Sequence, residues 1–177
     1  MDKIKIVIAD DSDFVRDGMR IILSVDPEFE VIGCASNGRE VIELAKKTAP
    51  DIFLMDIQMP GINGIEAMKE IRESNPNMIF IVMSAYDKFD YAKEAINLGV
   101  VDYINKPIRQ DVIVEVLKKA MKTLDTERHK RSSDLMIREK LENVVPVIES
   151  GFIYSILFQE HFEEDTNNYK QLLGIEK

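Results

Sequence analysis

Ile52-Phe53-Leu54-Met55-Asp56-Ile57-Gln58-Met59-Pro60-Gly61 decides how this chain is read. Four apolar residues run into a single carboxylate, and the run then breaks at Met-Pro-Gly. Such a run ahead of a turn signal predicts a buried strand. Asp56 stands at the carboxyl end of that strand, where the chain has left the core. In open α/β sheets that rim is where ligands bind. Taken alone, a carboxylate there reads more readily as a residue opening a surface loop, so the rest of the chain has to decide.

Upstream, Ile4-Lys5-Ile6-Val7-Ile8-Ala9 is mostly β-branched and apolar and reads as a first strand, ending at Asp10-Asp11-Ser12-Asp13. Phe14, Val15, Met19, Ile22 and Leu23 recur at helical spacing, and Asp26-Pro27 closes that helix. A second strand runs from Phe29 to Cys34, and Ser36-Asn37-Gly38 turns into a helix marked by Val41, Ile42, Leu44 and Ala45. Ala49-Pro50-Asp51 punctuates the approach to the quoted strand. Downstream, a third helix is predicted over 64–72, with Ile65, Met68 and Ile71 on its apolar side. A fourth strand follows over 78–83, ending at Ser84, then a helix over 86–98 with Gly99 as its C-cap. A fifth strand over 100–104 ends at Asn105-Lys106-Pro107, and a helix starts near Arg109.

Strands this apolar, each followed by a helix, want a parallel sheet covered on both faces. Right-handed crossovers make it a doubly wound, flavodoxin-like sheet of five strands in the order 2-1-3-4-5. In that order strands one and three are neighbours. Asp10, Asp11 and Asp56 should therefore converge at one rim, with Ser84 from strand four and Lys106 from strand five beside them. Two carboxylates repel by about 4 kcal/mol at ~4 Å and an effective dielectric near 20. Protonation or a hard cation relieves that, and an all-oxygen site with open positions suits Mg²⁺. A carboxylate held between a divalent cation and an ammonium can accept a phosphoryl group, because both cations neutralise charge on its equatorial oxygens. The Ser84 hydroxyl can hydrogen-bond the acquired phosphate, and Ala85 is small enough to leave access.

At this point the chain resembles the receiver domain of two-component response regulators over residues 4 to about 122. The marks are Asp10-Asp11 after strand one, Met55-Asp56-Ile57-Gln58-Met59-Pro60 with Gly64, Ser84-Ala85, and Tyr103 with Lys106-Pro107. The resemblance implies that Asp56 is phosphorylated from a phosphohistidine on a partner histidine kinase. It implies that Asp11, Asp56 and the main-chain carbonyl of Gln58 ligate Mg²⁺, with Asp10 assisting, and that Lys106 pairs with the phosphate. Ser84 and Tyr103 would be the switch pair; Ser stands where many members have Thr. Pro107 would follow a cis bond. The run from Ser84 to Ala95 resembles receivers fused to AraC-type DNA-binding domains.

The 177 residues carry a net charge of −9. Residues 1–108 hold 19 acidic and 12 basic side chains, net −7, and residues 109–177 hold 13 and 11, net −2. With no basic surplus in either part, the chain by itself is a poor nucleic-acid binder. Cys34 is the one cysteine. It excludes an internal disulfide and reads as an inert strand residue in a reducing compartment. No apolar segment approaches the ~18 residues of a membrane span, and the first strand starts too near the terminus for a signal peptide. The expectation is a cytoplasmic chain without membrane contact.

The receiver is expected to occupy 1–124, and 125–177 to form a helical connector. Residues 125–134 contain no apolar side chain. Ile137, Leu141, Val144 and Ile148 then follow at spacings of 4, 3 and 4, a coiled-coil rhythm that predicts a homodimer through these helices. Pro146 should end or kink the helix. An apolar patch from Phe152 to Phe158 and a short helix at Tyr169, Leu172 and Leu173 complete the tail. The tail resembles the connector of AraC-type response regulators, so DNA would be reached only through a domain not in this chain. A protein-docking output is the alternative. A further alternative is a phosphatase resembling haloacid dehalogenases, in which Asp11 of Asp11-Ser12-Asp13-Phe14-Val15 would be the nucleophile. That reading leaves Asp56 to Pro60 unexplained, and no late acidic pair follows Lys106.

Overall fold

The computed structural model describes residues 3–85 and 89–157. The chain divides into two compact units, Met1–Asp125 and Thr126–Lys177.

The first unit is built on five parallel strands: β1 (Ile4–Ala9), β2 (Phe29–Ala35), β3 (Ile52–Asp56), β4 (Ile79–Ser84) and β5 (Asp102–Asn105). They lie in the order β2-β1-β3-β4-β5, the doubly wound arrangement that the alternation of apolar runs predicts. The helices are α1 (Asp13–Ser24), α2 (Gly38–Lys47), α3 (Gly64–Ser74), α4 (Phe89–Asn97) and α5 (Gln110–Leu157). Period-two alternation sorts the strand side chains between two apolar clusters. Val7, Phe53, Met55, Phe80 and Val82 meet α2 and α3 through Val41, Ile65 and Met68. Ile6, Ile8, Leu54, Ile81 and Met83 meet α1 and the first turns of α5 through Leu23, Ile113 and Leu117. β1, β3 and β4 are covered on both faces, which is why their sequences read as near-continuous apolar runs.

Local signals place the helix starts. Ser12 caps α1 by accepting from Val15 N, and Asn37 caps α2 by accepting from Glu40 N. Asn63 and Glu66 form a reciprocal capping box on α3, which satisfies two of the donors a helix N-terminus leaves orphaned. Arg72, near the end of α3, donates to the carbonyls of Leu98 and Gly99 at 3.0 and 3.1 Å and to that of Pro76 at 2.6 Å. Its guanidinium also lies 5.0 Å from the centroid of the Phe80 ring. Burial pushes the Arg72 guanidinium down from its usual range.

Some boundaries differ from the sequence expectation. β2 extends to Ala35, and β4 takes in Ser84. β5 begins at Asp102 rather than Val100, because pairing with β4 starts at Ile81↔Asp102. Pro146 does not end the helix: α5 runs as one 48-residue helix through it. A proline removes one N–H and crowds the preceding turn, but leaves the bonds beyond it intact. Ser150 Oγ donates to the Pro146 carbonyl at 2.7 Å. Residues 125–142 of this helix are exposed throughout. The patch end at Phe158 and the short helix expected at 169–173 lie outside the described residues. Among the described residues no helix is long and apolar enough to cross a membrane.

Candidate functional site

Strand register brings the candidate residues to one edge. Ala9 pairs with Met55, so Asp10, the next residue of its chain, lies beside Asp56. Asp56 pairs with Met83, and Ser84 with Asn105. The chain after β5 is tied back by Lys106 N, which donates to Ser84 O at 2.8 Å. The Lys106–Pro107 bond is cis. Asp10, Asp56 and Ser84 are buried, at 0%, 4% and 2% exposure, whereas Asp11 is exposed.

The three aspartates offer carboxylate oxygens that all lie within 4.8 Å of one another. Lys106 Nζ is 3.1 Å from Asp56 Oδ2 and donates also to Asp10 Oδ2. The second oxygen of each buried carboxylate accepts a main-chain N–H: Ser12 N on Asp10 at 2.9 Å, and Gln58 N on Asp56 at 3.3 Å. Burial pushes the Asp56 carboxyl above its usual range; Lys106 opposes this and Asp10 adds to it. Burial alone would lower the Lys106 ammonium. The hydrogen bond to Asp10 and the charges of Asp56 and Asp10 outweigh that and hold it above its usual range.

This donor set fits a hard divalent cation. It is all oxygen, it is anionic beyond what one ammonium balances, and its exposed member, Asp11, leaves a side open to water. Tyr103 lies apart from the rim, half-buried in β5 opposite Val82 and packed against the cluster that contains Phe80. Gly64 closes the floor: its N–H donates to Ile57 O at 2.9 Å, and a Cβ there would fall 2.2 Å from Asp56 O. Arg16 also reaches the site, since Nη1 donates to Asp10 O at 2.6 Å. The sequence reading passed over it. A cation in the first turn of a helix, against the dipole, was the available signal.

Residues 6–118 match the response regulator receiver domain family. The chain belongs to that family. The transcriptional regulatory protein YxjL of Bacillus subtilis is 37% identical over 119 residues, which are 67% of this chain and 55% of YxjL. This chain therefore spans about half of that relative's length. The chemotaxis protein CheY of Thermotoga maritima is 42% identical over 118 residues, 67% of this chain and 98% of CheY. The receiver domain of AraT, a response regulator from Geobacillus stearothermophilus, superposes with a TM-score of 0.63 at 38% identity, covering 70% of this chain and 97% of that domain. Receiver domains are phosphorylation-based, generally non-enzymatic signalling modules that bind Mg²⁺ at an aspartate cluster and interact with histidine kinases.

Proposed function

We propose that this receiver is a phosphorylation switch in which Asp56 takes the phosphoryl group of a phosphohistidine on a partner kinase. One Asp56 carboxylate oxygen attacks phosphorus, the P–N bond breaks, and the imidazole leaves with its electron pair and takes up a proton. The observation that carries this reading is the placement of Asp56: buried, 3.1 Å from an ammonium and within 4.8 Å of two further carboxylates. Asp11, Asp56 and the Gln58 carbonyl would hold Mg²⁺, with Asp10 assisting; the ion supplies charge neutralisation for the transferring group. Lys106 gives a second positive charge that this chain carries itself, already within hydrogen-bond reach of the accepting carboxylate. The Ser84 hydroxyl would bind the acquired phosphate, and Tyr103, one pleat back from the rim, would follow that movement by repacking. Lys106 pairs with Asp56 and Asp10 rather than Asp11, which favours Asp56 over Asp11 as the nucleophile.

The output is read as transcriptional, through an AraC-type domain joined by the helical 125–177 segment, with a homodimer formed along that helix and the whole chain cytoplasmic. The name of the Bacillus subtilis relative supports a transcriptional output. Labelling with radioactive acetyl phosphate tests the core of the reading. The wild type should incorporate label only with Mg²⁺ present, and Asp56→Asn should lose it; full labelling of Asp56→Asn would overturn the assignment.

A further inference from the structure

Arg16 lies in the first turn of α1, where the helix dipole disfavours a cation, yet only 16% of its side chain is exposed. Nη1 donates to the main-chain carbonyl of Asp10 at 2.6 Å, and Nη2 pairs with the Asp13 carboxylate. Its charge also acts on Glu40, whose carboxyl is held below its usual range chiefly by the Ser36 N–H. One side chain thus links the end of β1 and the start of α1.

The Asp10 carbonyl belongs to the peptide that joins Asp10 to Asp11. That unit is planar, so an anchored oxygen fixes the plane and with it the direction in which the chain delivers Asp11. Asp10 is held by other bonds: its N–H donates to Ala35 O at 3.0 Å, and its carboxylate accepts from Ser12 N and Lys106 Nζ. Asp11 is the exposed acid of the three, and its carboxylate still lies within 4.8 Å of the other two.

We propose that Arg16 is a positioning residue for the cation site: by anchoring the Asp10 carbonyl it presets the Asp11 carboxylate for a divalent cation. The inference rests on the reading of Asp10, Asp11 and Asp56 as that site. Its geometry needs a planar fork with two separate donors, which lysine lacks. A charge effect alone would act in the opposite sense, because a guanidinium near the cluster repels a divalent cation.

Calorimetric Mg²⁺ titrations of the full chain, run below the melting temperature of each variant, test this. Arg16→Lys keeps the charge and loses the fork; Arg16→Gln loses both. Each is expected to raise the Mg²⁺ Kd about tenfold, the scale on which outer-sphere supports act on metal affinity. Asp13→Asn, which releases one arm of the fork at an exposed position, should raise it less. The half-saturating Mg²⁺ concentration for phosphorylation by acetyl phosphate should shift by the same factor, with the rate at saturating Mg²⁺ retained. If Arg16→Gln does not fold, Arg16→Lys and Asp13→Asn carry the test. An unchanged Kd in Arg16→Lys, or a tighter one in Arg16→Gln, overturns the proposal and leaves the cation site standing. A wild-type chain that binds no Mg²⁺, or binding that survives Asp11→Asn and Asp56→Asn together, overturns the site and the proposal with it.

Discussion

Lys106 Nζ lies 3.1 Å from Asp56 Oδ2 although fifty residues separate them in the chain. The contact follows from topology: β3 and β5 flank β4, and all three end at the same rim. Lys106 passes over the end of β4, where its own N–H is bonded to Ser84 O, and its ammonium reaches two buried carboxylates at once. One positive charge therefore serves two negative ones, and the site is left short of cation.

Asp56→Asn should stabilise the protein at neutral pH without Mg²⁺. Burial, the largest cause, raises the Asp56 pKa on folding, so the folded state binds the proton more readily than the unfolded chain. The stability this group contributes is present below the ordinary carboxylate range and is lost as pH rises through the elevated folded value. Asparagine removes that loss. In chelator at pH 7 the variant should melt a few degrees above the wild type, at about 4 °C per kcal/mol for a domain of this size. The gap should close towards pH 4, and a variant that melts lower at pH 7 would contradict the charge argument.

Removing the ammonium has the opposite sign. In Lys106→Met, Asp10 and Asp56 face each other without a counter-charge. Urea unfolding in chelator should show a loss of about 2–3 kcal/mol, below the ~3–5 kcal/mol of a fully buried broken pair because Lys106 keeps some contact with water. The deficit should shrink as pH falls and Asp56, whose carboxyl burial pushes above its usual range, takes up a proton. Millimolar Mg²⁺ should recover part of it at neutral pH.

The apolar runs and the turn signals between them were enough to read the sheet order and the convergence of Asp10, Asp56, Ser84 and Lys106, because a buried parallel strand has to be apolar and the residue that ends it has to leave the core. Boundaries near β5 were less legible. Val100 and Val101 look like strand residues, yet pairing with β4 starts only at Asp102. Arg72 was illegible for another reason: it works through main-chain carbonyls, and a carbonyl leaves no mark in a sequence; Arg16 showed as a cation near a helix start, but its partner, the Asp10 carbonyl, did not. Arg72 reaches Leu98 O and Gly99 O, 26 and 27 residues away. Pro146 does not stop α5 because the rule against interior prolines describes an energetic cost, and a 48-residue helix can bear it.

Gly64 should tolerate no side chain. A Cβ would meet the backbone oxygen of Asp56 at 2.2 Å and the Ile57 Cα at 3.0 Å, and backbone cannot swing aside as a side-chain tip can. Gly64→Ala should cost about 1–3 kcal/mol, the range for overpacking a well-filled interior. Because the strained atom is the carbonyl of Asp56 itself, labelling by acetyl phosphate should fall by more than the loss of folded protein accounts for. Labelling that tracks the folded fraction would separate Gly64 from the site.

The exposed length of α5 bears on the dimer. Residues 125–142 are exposed all round, and Leu135, Met136, Ile137 and Leu141 are each 54–59% exposed. A helix with no buried face draws little stability from packing, and propensity alone sustains helices poorly in water. Ile137 and Leu141 stand one turn apart on the same face, so a second copy could cover both. Light scattering should give a dimer mass for the full chain and a monomer mass for a chain ending at Leu124. Ile137→Lys with Leu141→Lys should return the full chain to monomer while leaving Mg²⁺-dependent labelling of Asp56 intact. If both lengths scatter as monomers, the exposed stripe serves a different protein, and the docking form of the output gains over the dimeric one.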